Sequence, residues 1–114
     1  MRELLVSNNK EYKLNDTELF CTLNKSQYIT IPIHIRKLLS LSAGDEVTVS
    51  LTKNSSELII QKRNHVTFEN TMVITGKGSI RIPEELKRTL CLQMGDTFQI
   101  YLSKENQLIL LKIK

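Results

Sequence analysis

Hydrophobic and polar residues alternate along short stretches of the chain, and the same punctuation interrupts the alternation twice. Ile29 and Ile31 fall on one face of an extended segment that ends at Pro32, and Ile80 and Ile82 do the same before Pro83. A proline pushes the residue before it to the extended conformation and suits the first position of a helix. A helix of about two turns is expected after each proline, with Ile35, Leu38 and Leu39 facing inward in the first and Leu86 and Leu90 in the second. Ala43-Gly44-Asp45 and Met94-Gly95-Asp96 read as turns whose glycines suit a positive φ. Beyond them Val47, Val49 and Leu51, and then Phe98, Ile100 and Leu102, alternate with polar residues as strands do, and a last strand is expected over 58–61 and again over 107–111. Strands are also expected upstream, over 19–23 and 72–74, each followed by a polar turn: Asn24-Lys25-Ser26-Gln27 and Gly76-Lys77-Gly78.

The two series are one pattern repeated 51 residues apart. In that register Ile29, Ile31, Pro32, Leu39, Leu41, Gly44, Asp45, Leu51 and Lys53 meet identical residues, and Cys21/Met72, Leu23/Ile74, Val47/Phe98 and Leu58/Ile109 are conservative pairs. At 114 residues the chain is too short for two ordinary domains, and a unit of about 45 residues cannot bury enough surface alone, so the two copies must share one core. The expected organisation is an extension over 1–16, a first repeat over 17–63, a connector over 64–70 and a second repeat over 71–114. The extension has no counterpart before the second copy and is expected to be weakly ordered or to add one strand.

Composition narrows the class without deciding it. The hydrophobic fraction is 40% and the charged fraction 25%, as in soluble globular proteins, and no apolar run approaches the roughly 20 residues of a membrane helix. The start of the chain lacks the long apolar stretch of a secretory signal, and a cytoplasmic location is expected. Sixteen basic residues against twelve acidic ones leave a net charge of +4, compatible with nucleic acid. The excess is spread: nine basic against seven acidic residues up to Arg63, and seven against five after it. Cys21 and Cys91 have no partner at zinc-ligand spacing and read as buried, inert thiols. His34 and His65 read as surface or linker residues. The two Gly-Asp pairs read as turns rather than metal or catalytic sites, Ser26 beside Lys25 is a weak nucleophile signal, and no Gly-rich phosphate loop is present. No enzyme, cofactor, metal or small-molecule substrate is expected.

The order of polar turn, strand, Ile-Pro, short basic helix, Gly-Asp turn and final hairpin resembles the AbrB/MazE/SpoVT family of swapped-hairpin DNA-binding domains. The second copy is the closer match: Ile82-Pro83-Glu84-Glu85-Leu86-Lys87-Arg88-Thr89-Leu90 looks like the AbrB helix signature, and 100–102 with 108–112 looks like its final hairpin. The resemblance covers residues 19–62 and 70–114. It implies a mainly β fold with short helices, a swapped-hairpin β-barrel that two intrachain repeats form together. Carrying both copies on one chain resembles MraZ-type regulators, although neither copy has the Asp-x-x-x-Arg signature of that branch.

By the same resemblance, double-stranded DNA is the expected partner, and the protein an AbrB-like transcriptional regulator, nucleoid-associated. Arg36 and Lys37 in the first copy, and Lys87 and Arg88 in the second, fall where the family's helix basics lie; Lys25 and Lys77 fall in the turn. Relatives carry Gly-Arg just after that turn, where this chain has Gln27-Tyr28 and Gly78-Ser79; Arg81 is the candidate substitute. An ordinary explanation exists for Lys87 and Arg88, since cations complement the end of a helix and Glu84 lies at pairing distance in sequence. Arg36 and Lys37 have no such acidic neighbour one turn earlier. Two other functions stay open: an antitoxin of a toxin–antitoxin pair, against which stands the end of the chain directly after its last strand, and a barrel that only mediates oligomerisation. A homo-oligomer, a dimer first, is expected, because 108–111 is apolar on both faces of a strand and needs cover on both sides.

Overall fold

The computed structural model describes residues 2–7, 10–54, 56–63 and 70–114. The fold is mainly β. Among the described residues nine strands and two short helices follow in the order β1 (Arg2–Ser7), β2 (Lys10–Thr22), β3 (Tyr28–Thr30), α1 (Ile33–Leu38), β4 (Glu46–Leu51), β5 (Glu57–Lys62), β6 (Asn70–Val73), β7 (Ser79–Arg81), α2 (Glu84–Thr89), β8 (Thr97–Ser103) and β9 (Leu108–Ile113). From β3 to β5 every element has its counterpart 51 residues later, from β7 to β9. His65 and most of the expected connector lie outside the described residues.

Seven strands form one sheet in the order β1-β2-β8-β9-β5-β4-β6, while β3 and β7 pair with each other. Hairpins β4–β5 and β8–β9 lie side by side through β5 and β9, with Ile60 opposite Ile109 and Leu58 opposite Leu111. Outside them the halves cross over. Strand β2 pairs with β8, setting Cys21 opposite Phe98, and β6 pairs with β4, setting Met72 opposite Val47. The crossing continues in the turns: Gly95 and Leu23 share one pair of backbone bonds with Asp96, and Gly44, Asp45 and Ile74 repeat it.

Both helices start and stop by the same local chemistry. Pro32 and Pro83 occupy the capping position with extended backbones, one residue before the first helical turn, and their carbonyls accept from the Arg36 and Lys87 N–H groups. After six residues each chain turns left-handed at Ser40 or Cys91 (φ 54° in both). There Leu41 and Leu92 donate back to Arg36 and Lys87, and Ser40 and Cys91 to Lys37 and Arg88, which is a Schellman stop built without glycine. In the following turns Gly44 and Gly95 take φ of 90° and 94°, and Asp45 and Asp96 accept from the Ser42 and Gln93 N–H groups at 2.8 Å.

The main core lies between the sheet, the β3–β7 pair and the helices. Ile29, Ile80, Ile82, Val47, Val49, Leu58 and Phe98 are fully enclosed in it. Leu39 joins that core, whereas Leu38 is 37% exposed and does not face inward as expected, because in so short a helix Ile35 and the stop residue Leu39 already cover the inner side. Cys21 is buried and its thiol is pushed up to about 12 by desolvation. Cys91 is exposed, contrary to the expectation, since the left-handed residue after a helix turns outward.

A second, smaller cluster fills the other side of the sheet. Leu14, Ile59, Tyr101, Leu108 and Leu110 are all buried there. The extension is therefore more than one added strand: β1 pairs with β2, and β2 runs without a break across residue 16 into the first repeat. A bulge between Asp16 and Leu19 bends it, with Glu18 at φ 62°. Asp16 holds the bend by accepting from the Glu18 N–H at 2.8 Å and from Gln99 Nε2 at 2.6 Å, contacts that lower its carboxyl below the usual value. Leu14 of the same chain thus takes part in the two-sided cover that 108–111 needs.

Candidate nucleic-acid interface

The pairing of β3 with β7 builds the surface on which the basic residues gather. Tyr28 faces Arg81, Ile29 faces Ile80 and Thr30 faces Ser79. Because side chains alternate, the buried isoleucines point to the core and the other four lie on the opposite face, where Ser79 stays buried with its hydroxyl 2.8 Å from that of exposed Thr30. The chain leaves this ladder at both ends by way of Ile-Pro into α1 or α2. At each end the polar turn of the opposite half is stitched alongside: the Ile31 N–H donates to the Gly78 carbonyl at 3.0 Å, and the Ile82 N–H to the Gln27 carbonyl at 2.9 Å. The turn before β7 therefore neighbours α1, and the turn before β3 neighbours α2.

Side chains preform both turns. Asn24 Oδ1 accepts from the Ser26 and Tyr28 N–H groups, and Thr75 Oγ1 accepts from those of Lys77 and Ser79. Lys25 and Lys77 are held at exposed tips. Lys37, Arg81 and Arg88 are also exposed, while Arg36 and Lys87 are half-buried. Arg36 is the most constrained of the seven: its Nε donates to the Ile31 carbonyl at 2.8 Å, and its guanidinium lies over Gly78, where a Cβ would overlap it. Gly78, at φ 77°, is a residue whose part in this surface the sequence did not reveal, although the mismatch between Gln27 and Gly78 in the repeat marks the spot. At the equivalent place Gln27 takes φ 69° and keeps its Oε1 buried without a partner among the described residues.

None of the seven candidate cations is in an ion pair among the described residues; the pairs found are Lys62–Asp45 and Arg63–Glu46. Glu84 in particular does not bridge to Lys87 or Arg88, so that half of their ordinary explanation is not realised, while both cations do lie in the last turn of α2, where they complement the helix end. Beside them an open depression of about 340 Å³ is lined by Glu84, Lys87, Arg88, Cys91, Leu92 and Gln93. Among the described residues there is no group of three or more His, Cys, Asp or Glu that could hold a metal, and no helix long and apolar enough to cross a membrane.

Comparison with known proteins gives this segment a family likeness. Residues 22–68 match the family described as "Antidote-toxin recognition MazE, bacterial antitoxin". The match takes in the first turn, β3, α1, β4 and β5, the stretch that carries Lys25, Arg36 and Lys37. No curated protein matches the chain. A solved structure, "The solution structure of PHS018 from pyrococcus horikoshii", is similar over 84% of this chain and 86% of its own, at 18% identity and a TM-score of 0.49. The MazE-like segment ends at residue 68, and the elements from β6 onward lie beyond it.

Proposed function

We propose that the chain is a DNA-binding transcriptional regulator of the AbrB-like type. Its two repeats, 17–63 and 71–114, act as tandem half-units of one swapped-hairpin barrel and meet duplex DNA with Lys25, Arg36, Lys37, Lys77, Arg81, Lys87 and Arg88. The observation that carries the reading is the β3–β7 ladder, which sets the turn lysine of each half beside the basic helix of the other, with none of these cations in an ion pair among the described residues. The strand registers support the tandem arrangement. Cys21 opposite Phe98 becomes Met72 opposite Val47 when both positions move by one repeat, and Ile29 opposite Ile80 maps onto itself. The MazE-like segment supports the family.

In this reading the cations supply phosphate contacts, which fix position and orientation on the duplex without reading sequence. Arg36 does so with the guanidinium nitrogens left after Nε is spent on Ile31, so it also positions the turn at Gly78. Residues on the outer face of the ladder and helices remain for base contacts. The match to MazE antitoxins favours a second reading, an antitoxin that masks a toxin. Titrating labelled random and genomic duplexes with the protein at low salt tests the first. Binding that is lost when Arg36, Lys37, Lys87 and Arg88 are replaced by alanine supports it. A wild type that binds no duplex overturns it and passes the lead to the antitoxin.

A further inference from the structure

The two helices share one backbone geometry and present two different chemistries. Their capping prolines take φ/ψ of −54°/142° and −56°/138°, and both helices run six residues to the same stop. With Ile35 or Leu86 buried, the residues two positions before and after it lie on the line opposite the core. In α1 that outward line holds Ile33 and Lys37; in α2 it holds Glu84 and Arg88. Ile33 is 59% exposed, next to cations and with no acid in the first turn of α1. In α2 the first turn has two acids, Glu84 and Glu85, ahead of Lys87 and Arg88. Taken as helices, α1 carries cations only and α2 carries equal numbers of each sign. Arg81, on the ladder, adds a cation off that line.

We infer that this surface takes a non-palindromic duplex in one fixed orientation, with Ile33 and Glu84 as the residues that tell its two half-sites apart. The inference rests on the DNA-binding reading above. A two-fold backbone with matching side chains offers both half-sites the same chemistry, as symmetric dimers do on palindromic operators. Here the equivalent positions differ in kind. An exposed isoleucine can only make apolar contact, which in the major groove suits a thymine methyl. A glutamate accepts hydrogen bonds, which suits the cytosine amino group, and it repels phosphate. The α1 end offers phosphate Arg36, Lys37 and Lys77 with no acid on its helix, whereas at the α2 end Glu84 and Glu85 offset part of Lys25, Arg81, Lys87 and Arg88, and reversing the duplex exchanges a favourable contact for an unfavourable one at both ends.

Selection of duplexes from a randomised library, followed by sequencing, tests this with the wild-type chain and with Ile33→Glu and Glu84→Ile. Both side chains are exposed, and circular dichroism checks that the variants fold. The wild type is expected to enrich a non-palindromic motif. Glu84→Ile is expected to enrich a motif closer to a palindrome and to bind random duplex more tightly. Ile33→Glu is expected to weaken the preferred site by roughly 5- to 150-fold, the range of one base contact. A palindromic wild-type motif, or variants that keep the wild-type motif, overturns the inference while leaving DNA binding intact. A wild type that enriches no duplex overturns the DNA-binding reading itself.

Discussion

Replacing Leu14 by alanine tests whether the N-terminal hairpin is part of the folded unit or an appendage to it. Leu14 is 1% exposed and shares a cluster with Ile59, Tyr101, Leu108 and Leu110 on the side of the sheet away from the main core. Deleting a buried leucine side chain costs about 2–5 kcal/mol, depending on how far the site can collapse. The cluster is small and Leu14 lies on the strand next to the sheet's last one, so the low end, about 2–3 kcal/mol, is expected. A chain of this size has roughly 6–17 kcal/mol of stability, so the variant remains folded. At roughly 3–6 °C per kcal/mol, its melting temperature falls by roughly 6–18 °C. Urea unfolding followed by circular dichroism gives the free energy directly. Light scattering is expected to give a larger mass for Leu14→Asp than for the wild type at the same concentration, because the charge opens the buried apolar cluster around it. A loss below about 0.5 kcal/mol in Leu14→Ala, the range of an indifferent surface change, refutes the reasoning.

Other sites respond in ways the geometry fixes. Gly78→Ala puts a Cβ at φ 77° against the Arg36 guanidinium, and is expected to cost about 1–3 kcal/mol in unfolding free energy and to weaken duplex binding; Gly76→Ala, with open space around it, is the near-neutral control. Ser40→Gly relieves a left-handed residue at the α1 stop and is expected to raise stability by about 0.5–1 kcal/mol in the same assay. A thiol reagent at neutral pH is expected to label Cys91 and spare Cys21, whose thiol is buried and pushed up to about 12; mass spectrometry of the labelled peptides shows which one reacts.

The elements were legible in the sequence wherever local chemistry decides them. Ile-Pro followed by a short amphipathic stretch marks where β3 and β7 end and the helices begin, and Gly44 and Gly95 mark the turns. What crosses between the halves was not legible, because nothing local encodes it. The Arg36 guanidinium over Gly78 joins residues 42 positions apart, and β2 reaches β8 across most of the chain. Leu38 fits the inward face by period alone, yet six residues of helix leave no inner surface for it once Leu39 caps the end. Cys91 reads as a small apolar residue, and only the left-handed stop after α2 turns it outward. The repeat offers no cover for 108–111 within the chain, which points to a second molecule; it is a residue outside the repeat, Leu14, that joins the cluster on that side. The candidate site residues were named through the resemblance, whereas their grouping across halves came only from the β3–β7 pairing.

Salt dependence of duplex binding tests the central claim most directly. Each neutralised phosphate contributes about −0.9 to the slope of log affinity against log salt concentration, so about five to seven engaged cations predict a slope of about −4.5 to −6.3. Removing the side chains of Arg36, Lys37, Lys87 and Arg88 one at a time is expected to flatten the slope by about 1 for each phosphate that is no longer neutralised, nearly alike on every sequence. A wild-type slope near zero, or one that the four replacements together leave unchanged, contradicts the assignment of this surface to DNA.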